Sequence, residues 1–311
     1  METDAFAANL ICPPADARDW PAWRDTLVGW RAAERARLGL DAPGIYGPEF
    51  AWVAHSFTSH KVFLWDQRIL APDGSGYTPG PYLAAFRERF GPLHHVILWH
   101  AYPNLGFDDR NQAEFYRRLP GGLPGLRGLV EALHSEGIRA FLDYNPWDTG
   151  TRREPAPDHE TMAALLRATG ADGLYLDTMA GAAPDFRAAC DAVRPGIVLQ
   201  AQSFVPPEAL PQHQMGWAED FATGSVPGVL RSRWLERRHQ QQVVHRWATD
   251  HTGEMHTAWM NGAGMVVWEN VFGAWNPWSD RDAAMMRWLG TMQGRYAEFF
   301  AAGEWTPLIE T

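Results

Sequence analysis

Lysine is almost missing from this 311-residue chain: there is one, Lys61, against 26 arginines, and the net charge is −10. No Lys/Arg run builds the basic face that nucleic acid requires, which argues against that class of partner. Long apolar runs are missing too, and nothing approaches the ~20 residues of a membrane-spanning helix. No charged segment followed by an apolar one opens the sequence, so no signal peptide is read. A cytoplasmic location is expected, with secretion left open if residues precede Met1. Two cysteines, Cys12 and Cys190, form neither a zinc pattern nor a disulfide framework, and Cys190 reads as a small buried hydrophobe in mid-helix. The 12 histidines show no H-x-H or H-E-x-x-H spacing, so a metal would need ligands gathered from separate strands. There is no G-x-S-x-G for a serine nucleophile and no G-x-G-x-x-G after a strand for a dinucleotide. No cofactor is expected.

Tryptophan, by contrast, is abundant. Sixteen are present in a chain of ordinary globular balance, 46% hydrophobic and 21% charged. Trp99, Trp147, Trp268, Trp275 and Trp278 stand in segments that also carry polar residues. A sugar ring has apolar C–H faces that stack on indoles and hydroxyls that need carboxylates, amides and imidazoles. A large core is the alternative use for each of these rings. Heavy use of Ala, Arg, Gly and Pro suggests a GC-rich bacterial genome.

Residues 15–40 read as a helix, with Trp20, Trp23, Leu27, Trp30 and Ala33 three or four apart. After a break at Gly44–Pro48, the first strand is expected in Phe50–Trp52 or Val62–Trp65. A period then sets in. Val96–Trp99 is followed by a helix near Pro124–Glu136, Gly137–Asp143 by one near His159–Thr169, and Gly173–Leu176 by one near Pro184–Val193, before Ile197–Gln200. These units predict parallel strands joined by crossover helices. Beyond them the sequence reads as a sixth strand near Trp217–Asp220, a helical stretch over Val226–Asp250, a final strand at Gly264–Trp268 and a helix over Asp280–Ala301.

Each apolar run ends in polar and aromatic residues, as in Trp99-His100, Asp143 to Asp148, Asp177-Thr178, Gln200 to Ser203 and Trp268 to Asn270. In a barrel such tails converge on one mouth, whereas an open doubly wound sheet gathers only some of them. The expected fold class is therefore α/β, a (β/α)8 TIM barrel over 46–303. A helical extension at 1–45 precedes it, and a tail at 304–311 leads toward an absent C-terminal β domain.

Asp177, at the tip of Gly173-Leu-Tyr-Leu-Asp177, is the leading catalytic candidate. A carboxylate at a buried strand end must be paired or face a pocket, and there it can attack an anomeric carbon. Capping the next helix is the alternative. A glycosidase needs a second carboxyl, roughly 5–5.5 Å away for retention or 6.5–9.5 Å for inversion. Asp220 is the first choice by strand order and Glu269 the second, with Glu219 beside Asp220; holding a sugar hydroxyl is the other use of each. Asp143, Asn145, Trp147 and Asp148 at the third strand's end, and Asp66 after Val62–Trp65, are expected to grip hydroxyls. Trp99, His100, Gln200, Gln202, Arg237, His239, Trp268 and Asn270 complete the expected substrate wall. A hydrogen-bonded core imidazole is the alternative for His100.

Gly173-Leu-Tyr-Leu-Asp177, following Gly137-Ile-Arg-Ala-Phe-Leu-Asp143, resembles the fourth and third strands of the retaining α-galactosidase and α-glucosidase barrels. The resemblance implies Asp177 as nucleophile and Asp220 as acid/base. A longer stretch, about Leu98 to Trp278, is similar to a bacterial family of Trp-rich glycoside-hydrolase-like barrels. The motifs that carry this are Leu98–Asn104, Tyr144–Gly150 and Val267–Gly273. Members of that family continue into a C-terminal β-sandwich. The third strand here ends Leu-Asp-Tyr-Asn, unlike the tips of the better-known families, so neither sugar nor anomer carries over.

The expectation is a retaining, exo-acting glycoside hydrolase with a Trp-lined pocket and a carbohydrate substrate. Two alternatives stand beside it: a carbohydrate-binding barrel without catalysis, and a metal-dependent hydrolase or lyase.

Overall fold

The computed structural model describes residues 14–100, 109–147, 152–219 and 230–301. Within them the elements run in the order α1 (Trp20–Arg37), β1 (Thr58–Phe63), α2 (Pro79–Phe90), β2 (His95–Trp99), α3 (Gln112–Arg118), α4 (Gly122–Ser135), β3 (Arg139–Tyr144) and α5 (Asp158–Thr169). There follow β4 (Gly173–Leu176), α6 (Pro184–Val193), β5 (Val198–Ala201), β6 (Met215–Glu219), α7 (Arg231–Leu235), β7 (Gln240–Val244), α8 (Thr252–Asn261) and β8 (Gly264–Val267). A short hairpin of β9 (Asn270–Val271) and β10 (Ala274–Trp275) leads to α9 (Asp280–Arg295) and α10 (Ala297–Ala301). The first eight strands close into a parallel barrel in sequential order, and β8 pairs with β1 through Thr58 and Met265. The fold is the expected (β/α)8 barrel, with α1 set against it where Trp30 stacks on Trp234 at 5.7 Å.

Strand alternation divides the apolar residues between two cores. Leu98, Leu142, Leu174, Leu199, Val243 and Val267 face the helices, which answer with residues such as Phe86, Leu129, Leu166 and Met286. The intervening residues Ile97, Trp99, Phe141, Tyr175, Trp217, Val266 and Trp268 fill the barrel interior. Such dense filling needs gaps as well as rings. A Cβ on Gly173 would lie 2.9 Å from the Phe141 ring and 2.7 Å from the Val198 carbonyl oxygen, so β4 yields that space to its neighbour.

Two expectations are corrected. The first strand lies at Thr58–Phe63, while Phe50 and Val53 stand on two 3₁₀ turns and join the interior core from the N-terminal end. Of the stretch read as one helix over Val226–Asp250, the described residues are helical only at α7, and the glutamines form β7. A run of three Gln carries no amphipathic period; what holds it extended is tertiary. Gln241 donates to the Trp217 carbonyl at 2.7 Å, and Gln240 and Gln242 donate to the carbonyls of Ala54 and Ser56 at 3.3 and 3.1 Å.

Candidate active site

Because all eight strands run the same way, their C-terminal ends present one set of side chains to one mouth. β1 contributes Lys61, which is 1% exposed and therefore out of water. Its ammonium lies 3.5 Å from a carboxylate oxygen of Asp143 on β3. It also stands 4.5, 4.2, 5.4 and 4.9 Å from the ring centres of Trp99, Tyr175, Trp217 and Trp268. Four aromatic faces and one carboxylate thus replace the hydration of a cation. The four rings come from strands spaced around the barrel and touch edge to face, as Trp99 and Trp268 do at 5.5 Å.

Asp143 is fully buried, and among the described residues no backbone amide reaches its carboxylate, which faces the Lys61 ammonium. Burial pushes its carboxyl up to about 7, with the Lys61 charge pulling down and Asp177 pushing further up. Asp177 follows β4 directly. Its amide donates to the Tyr144 carbonyl at 2.8 Å, and its carboxylate accepts from Asn145 Nδ2 at 3.1 Å. Asn145 is itself fixed, since its backbone amide donates to Gln112 Oε1 and its carbonyl accepts from Gln112 Nε2. The next residue, Thr178, has φ 61°, a conformation unfavourable for a β-branched residue. Its amide donates to Gln202 Oε1 at 2.6 Å, and Gln202 Nε2 donates to Glu219 at 2.7 Å. Glu219 also pairs with Arg246, whose guanidinium lies 5.2 Å from the Trp268 ring. One polar chain therefore links the tips of β4, β5, β6 and β7.

The structure brings Trp99, Asp143, Asn145, Asp177, Gln202, Glu219 and Trp268 together as the sequence suggested. His100, also buried, stacks beside them on Phe115 and Tyr116. Trp147 lies beyond Asn145 and is half exposed. Asp148 and Asp220 fall outside the described residues. Gln200 lies deeper in the barrel, donating to Gln242 Oε1 at 3.3 Å.

Glu269 is set elsewhere. It accepts from the Trp278 amide at 3.0 Å and pairs with Arg89 at 3.1 Å, in the wall of a lateral cavity of about 560 Å³ that α2 also lines. Burial raises its carboxyl despite the Trp278 amide and the arginines. Asp66 and Asn270 belong to that side as well: Asn270 donates to Asp66 at 3.2 Å, and Arg68 grips Asp66 at 2.7 Å. Burial alone would raise Asp66, but the Arg68 hydrogen bonds hold it below the usual carboxylate range.

Arg237 and His239 were expected in the substrate wall, but they precede β7 and so stand at the opposite, N-terminal end of the barrel. There His239 Nδ1 lies 2.9 Å from the His213 carbonyl oxygen. The reason is the β7 correction: with Gln240–Val244 extended, residues before the strand cannot reach its far end.

Sequence reasoning missed Lys61, Tyr175, Trp217, Thr178 and Arg246. For Lys61 a signal existed, since a lone lysine in a chain that otherwise uses arginine is a chemical exception. Among the described residues no group of three His, Cys, Asp or Glu side chains is arranged to hold a metal ion, and no helix is long and apolar enough to cross a membrane.

No protein-family model matches the chain, and no curated protein matches it in sequence. Solved structures do share its fold. The α-N-acetylgalactosaminidase NagBb from Bifidobacterium bifidum in complex with GalNAc is 14% identical, with a TM-score of 0.54 over 88% of this chain and 56% of that one. The α-amylase GTA from Geobacillus thermoleovorans, complexed with acarbose, is 11% identical, with a TM-score of 0.51 over 79% of this chain and 80% of that one. A cyclomaltodextrinase is 13% identical, with a TM-score of 0.50 over 80% of this chain and 64% of that one. The chain thus spans under two thirds of the NagBb and cyclomaltodextrinase chains. At these identities the likeness is one of fold.

Proposed function

We propose that the protein is a retaining, exo-acting glycoside hydrolase with Asp177 as nucleophile and Asp220 as acid/base. The observation that carries this reading is the setting of Asp177. It ends a buried strand beside a cluster of Trp99, Tyr175, Trp217 and Trp268, it is oriented by Asn145, and the residue after it is held in a strained backbone state. Sharing a fold with an amylase and an acetylgalactosaminidase adds fold-level support. In the reaction an Asp177 oxygen bonds to the anomeric carbon as the glycosidic C–O bond breaks, and the leaving oxygen takes a proton from the acid. Water then displaces Asp177, giving its proton back to the same residue. Trp147, half exposed beyond Asn145, would stack on the apolar sugar face.

The test is hydrolysis of a panel of 4-nitrophenyl glycosides. Asp177→Asn should lose at least about 10³-fold in turnover with the fold intact. Asp177→Gly should regain activity with azide, yielding a glycosyl azide. An Asp177→Asn protein that keeps most of its turnover overturns the assignment.

A second reading is a carbohydrate-binding barrel without turnover. It draws on the ion pairs that occupy Glu219 and Glu269, the first with Arg246 and the second with Arg89. Calorimetric binding of a sugar that is never hydrolysed would favour it.

A further inference from the structure

Two acidic groups meet at the mouth of this barrel, and their electrostatics raise a problem that one basic residue answers. Asp143 lies on β3 and Asp177 follows the paired strand β4, where Asn145 bonds to it from the end of β3, and the Asp177 charge pushes the wholly buried Asp143 up. Neighbouring carboxylates of this kind ordinarily hold one proton between them, because two like charges at short range cannot both ionise cheaply. A nucleophile that shares such a proton is lost for part of the time. The charged or titratable groups facing Asp143 are Lys61 from β1, His100 from the end of β2, the Tyr175 phenol from β4 and Asp177 after it. On the α3 side the Tyr116 hydroxyl meets only its backbone, donating to the Asp143 carbonyl at 2.8 Å and accepting from its amide at 2.8 Å. Lys61 is the one member of this group that carries a fixed positive charge.

We propose that Lys61 is a positioning residue of the axial site, whose caged ammonium favours the ionised form of Asp143 against its burial and so weakens its hold on a proton that would otherwise be shared with Asp177. The geometry supports each step. The ammonium lies 3.5 Å from Asp143 Oδ2, near enough to act through a low-dielectric interior. Four ring faces within 5.4 Å surround the ammonium, which is 1% exposed, and an aromatic face attracts a cation. Among the described residues no backbone amide reaches the Asp143 carboxylate, so its charge depends on Lys61 far more than that of a carboxylate held by amides would. Asp177 has Asn145 as its own donor and is the carboxylate to which the proposed reaction assigns the attack. Burial does raise Asp143, to about 7, and removing the cation takes away the largest opposing influence. The effect on charge needs no substrate. Its effect on turnover rests on the two-carboxylate reading given above.

Because Lys61 is the only lysine, protein grown on ¹⁵N-lysine carries one labelled side-chain ammonium. Its Nζ resonance should persist at neutral pH, protected from exchange, and should step as Asp143 titrates. In Asp143→Asn the step should vanish. The ¹³C carboxyl signal of Asp143, assigned by its loss in that variant, should titrate at least one pH unit higher in Lys61→Met than in the wild type, while Lys61→Arg should stay near it. Methionine fits an aromatic cage, and should that variant fail to fold, the wild-type Nζ titration and Lys61→Arg still decide the matter. An Nζ signal that ignores pH, or an Asp143 midpoint equal in wild type and Lys61→Met, overturns the proposal. Once a substrate is in hand, the acid limb of kcat/KM should move up in Lys61→Met and not in Lys61→Arg. If the NMR result holds but Asp177→Asn still turns over, the glycosidase reading fails and the role of Lys61 stands.

Discussion

The two ends of β4 carry an aspartate each, and they are put to opposite uses. Asp172, just before the strand, is 1% exposed and fully answered. It lies 2.7 Å from His134, 3.0 Å from Arg139 and 3.1 Å from Arg194, and it accepts from the Ala140 amide at 3.0 Å. Burial alone would raise it, but these partners hold it below the usual carboxylate range. Asp177, just after the strand, is buried nearly as deeply but accepts from the side-chain amide of Asn145, and its charge is felt by Asp143. The first arrangement satisfies a charge and locks a helix–strand layer. The second keeps a carboxylate beside a place where charge can develop. The same contrast runs through the whole barrel: the N-terminal half of the interior holds neutral groups such as Ser59, His95, Gln200 and Gln242, while Lys61, Asp143, Asp177, Glu219 and Arg246 gather at the other end.

Exchanging the two aspartates in turn is the sharpest way to break this comparison. Asp177→Asn should cost at least about 10³-fold in turnover and leave the urea midpoint within about 0.5 kcal/mol of wild type. Asp172→Asn should do the reverse, destabilising by about 3 kcal/mol through its stranded arginines while the folded fraction keeps its activity. If Asp172→Asn removes turnover from well-folded protein, the division between the two ends is wrong.

Acid should act on the N-terminal half and its surroundings next. Burial pushes His60, His95 and His239 down to about 3, and His94, His213 and His251 down to about 4. Their folded values lie below the unfolded one near 6.5, so the unfolded chain takes up protons first. The stability they confer is complete above pH 6.5 and is lost as pH falls toward 3. Asp143 works the other way: its folded value of about 7 exceeds the unfolded 3.8, so its contribution grows as pH falls through that window. Glu254 and Glu269, also raised by burial, act in the same sense as Asp143; six imidazoles outweigh these three carboxyls, and Tm measured from pH 8 to pH 4 should drop continuously below about 6.5. A Tm that rises on acidification would reverse the balance.

The smallest effect should come from backbone strain. Thr178→Gly removes the penalty of a β-branched residue at φ 61° and should stabilise the fold by about 1 kcal/mol. The same change loosens the turn that fixes Asp177, so turnover should fall several-fold. Unchanged stability together with unchanged turnover would mean that the turn holds nothing of value.

Much of this molecule was legible because short-range patterns carry it. β2 through β5 announce themselves as apolar runs with polar tips, and the tip of β4 already singled out Asp177, since a carboxylate ending a buried strand needs a reason. Glu269 and Asp66 were legible as strand-end acids; Asp66 is held by Arg68 only two residues on, but Glu269 is paired by Arg89 of α2, distant in sequence from β8. β7 escaped because a Gln run has no hydrophobic period, and its strand conformation depends on carbonyls nearly two hundred residues away. With β7 unread, Arg237 and His239 were assigned to the wrong face.

By itself, then, the sequence determined the strand–helix period, the closed barrel that period implies, and the polar tips from which a site is made, all consequences of alternation and of the hydrophobic effect acting locally. Which tips meet was decided by tertiary structure. Lys61 is an ordinary strand residue until β1 closes against β8 and sets its ammonium among rings from β2, β4, β6 and the end of β8. Charge acts through space rather than along the chain, so the electrostatics of a buried site exist only once the barrel is shut.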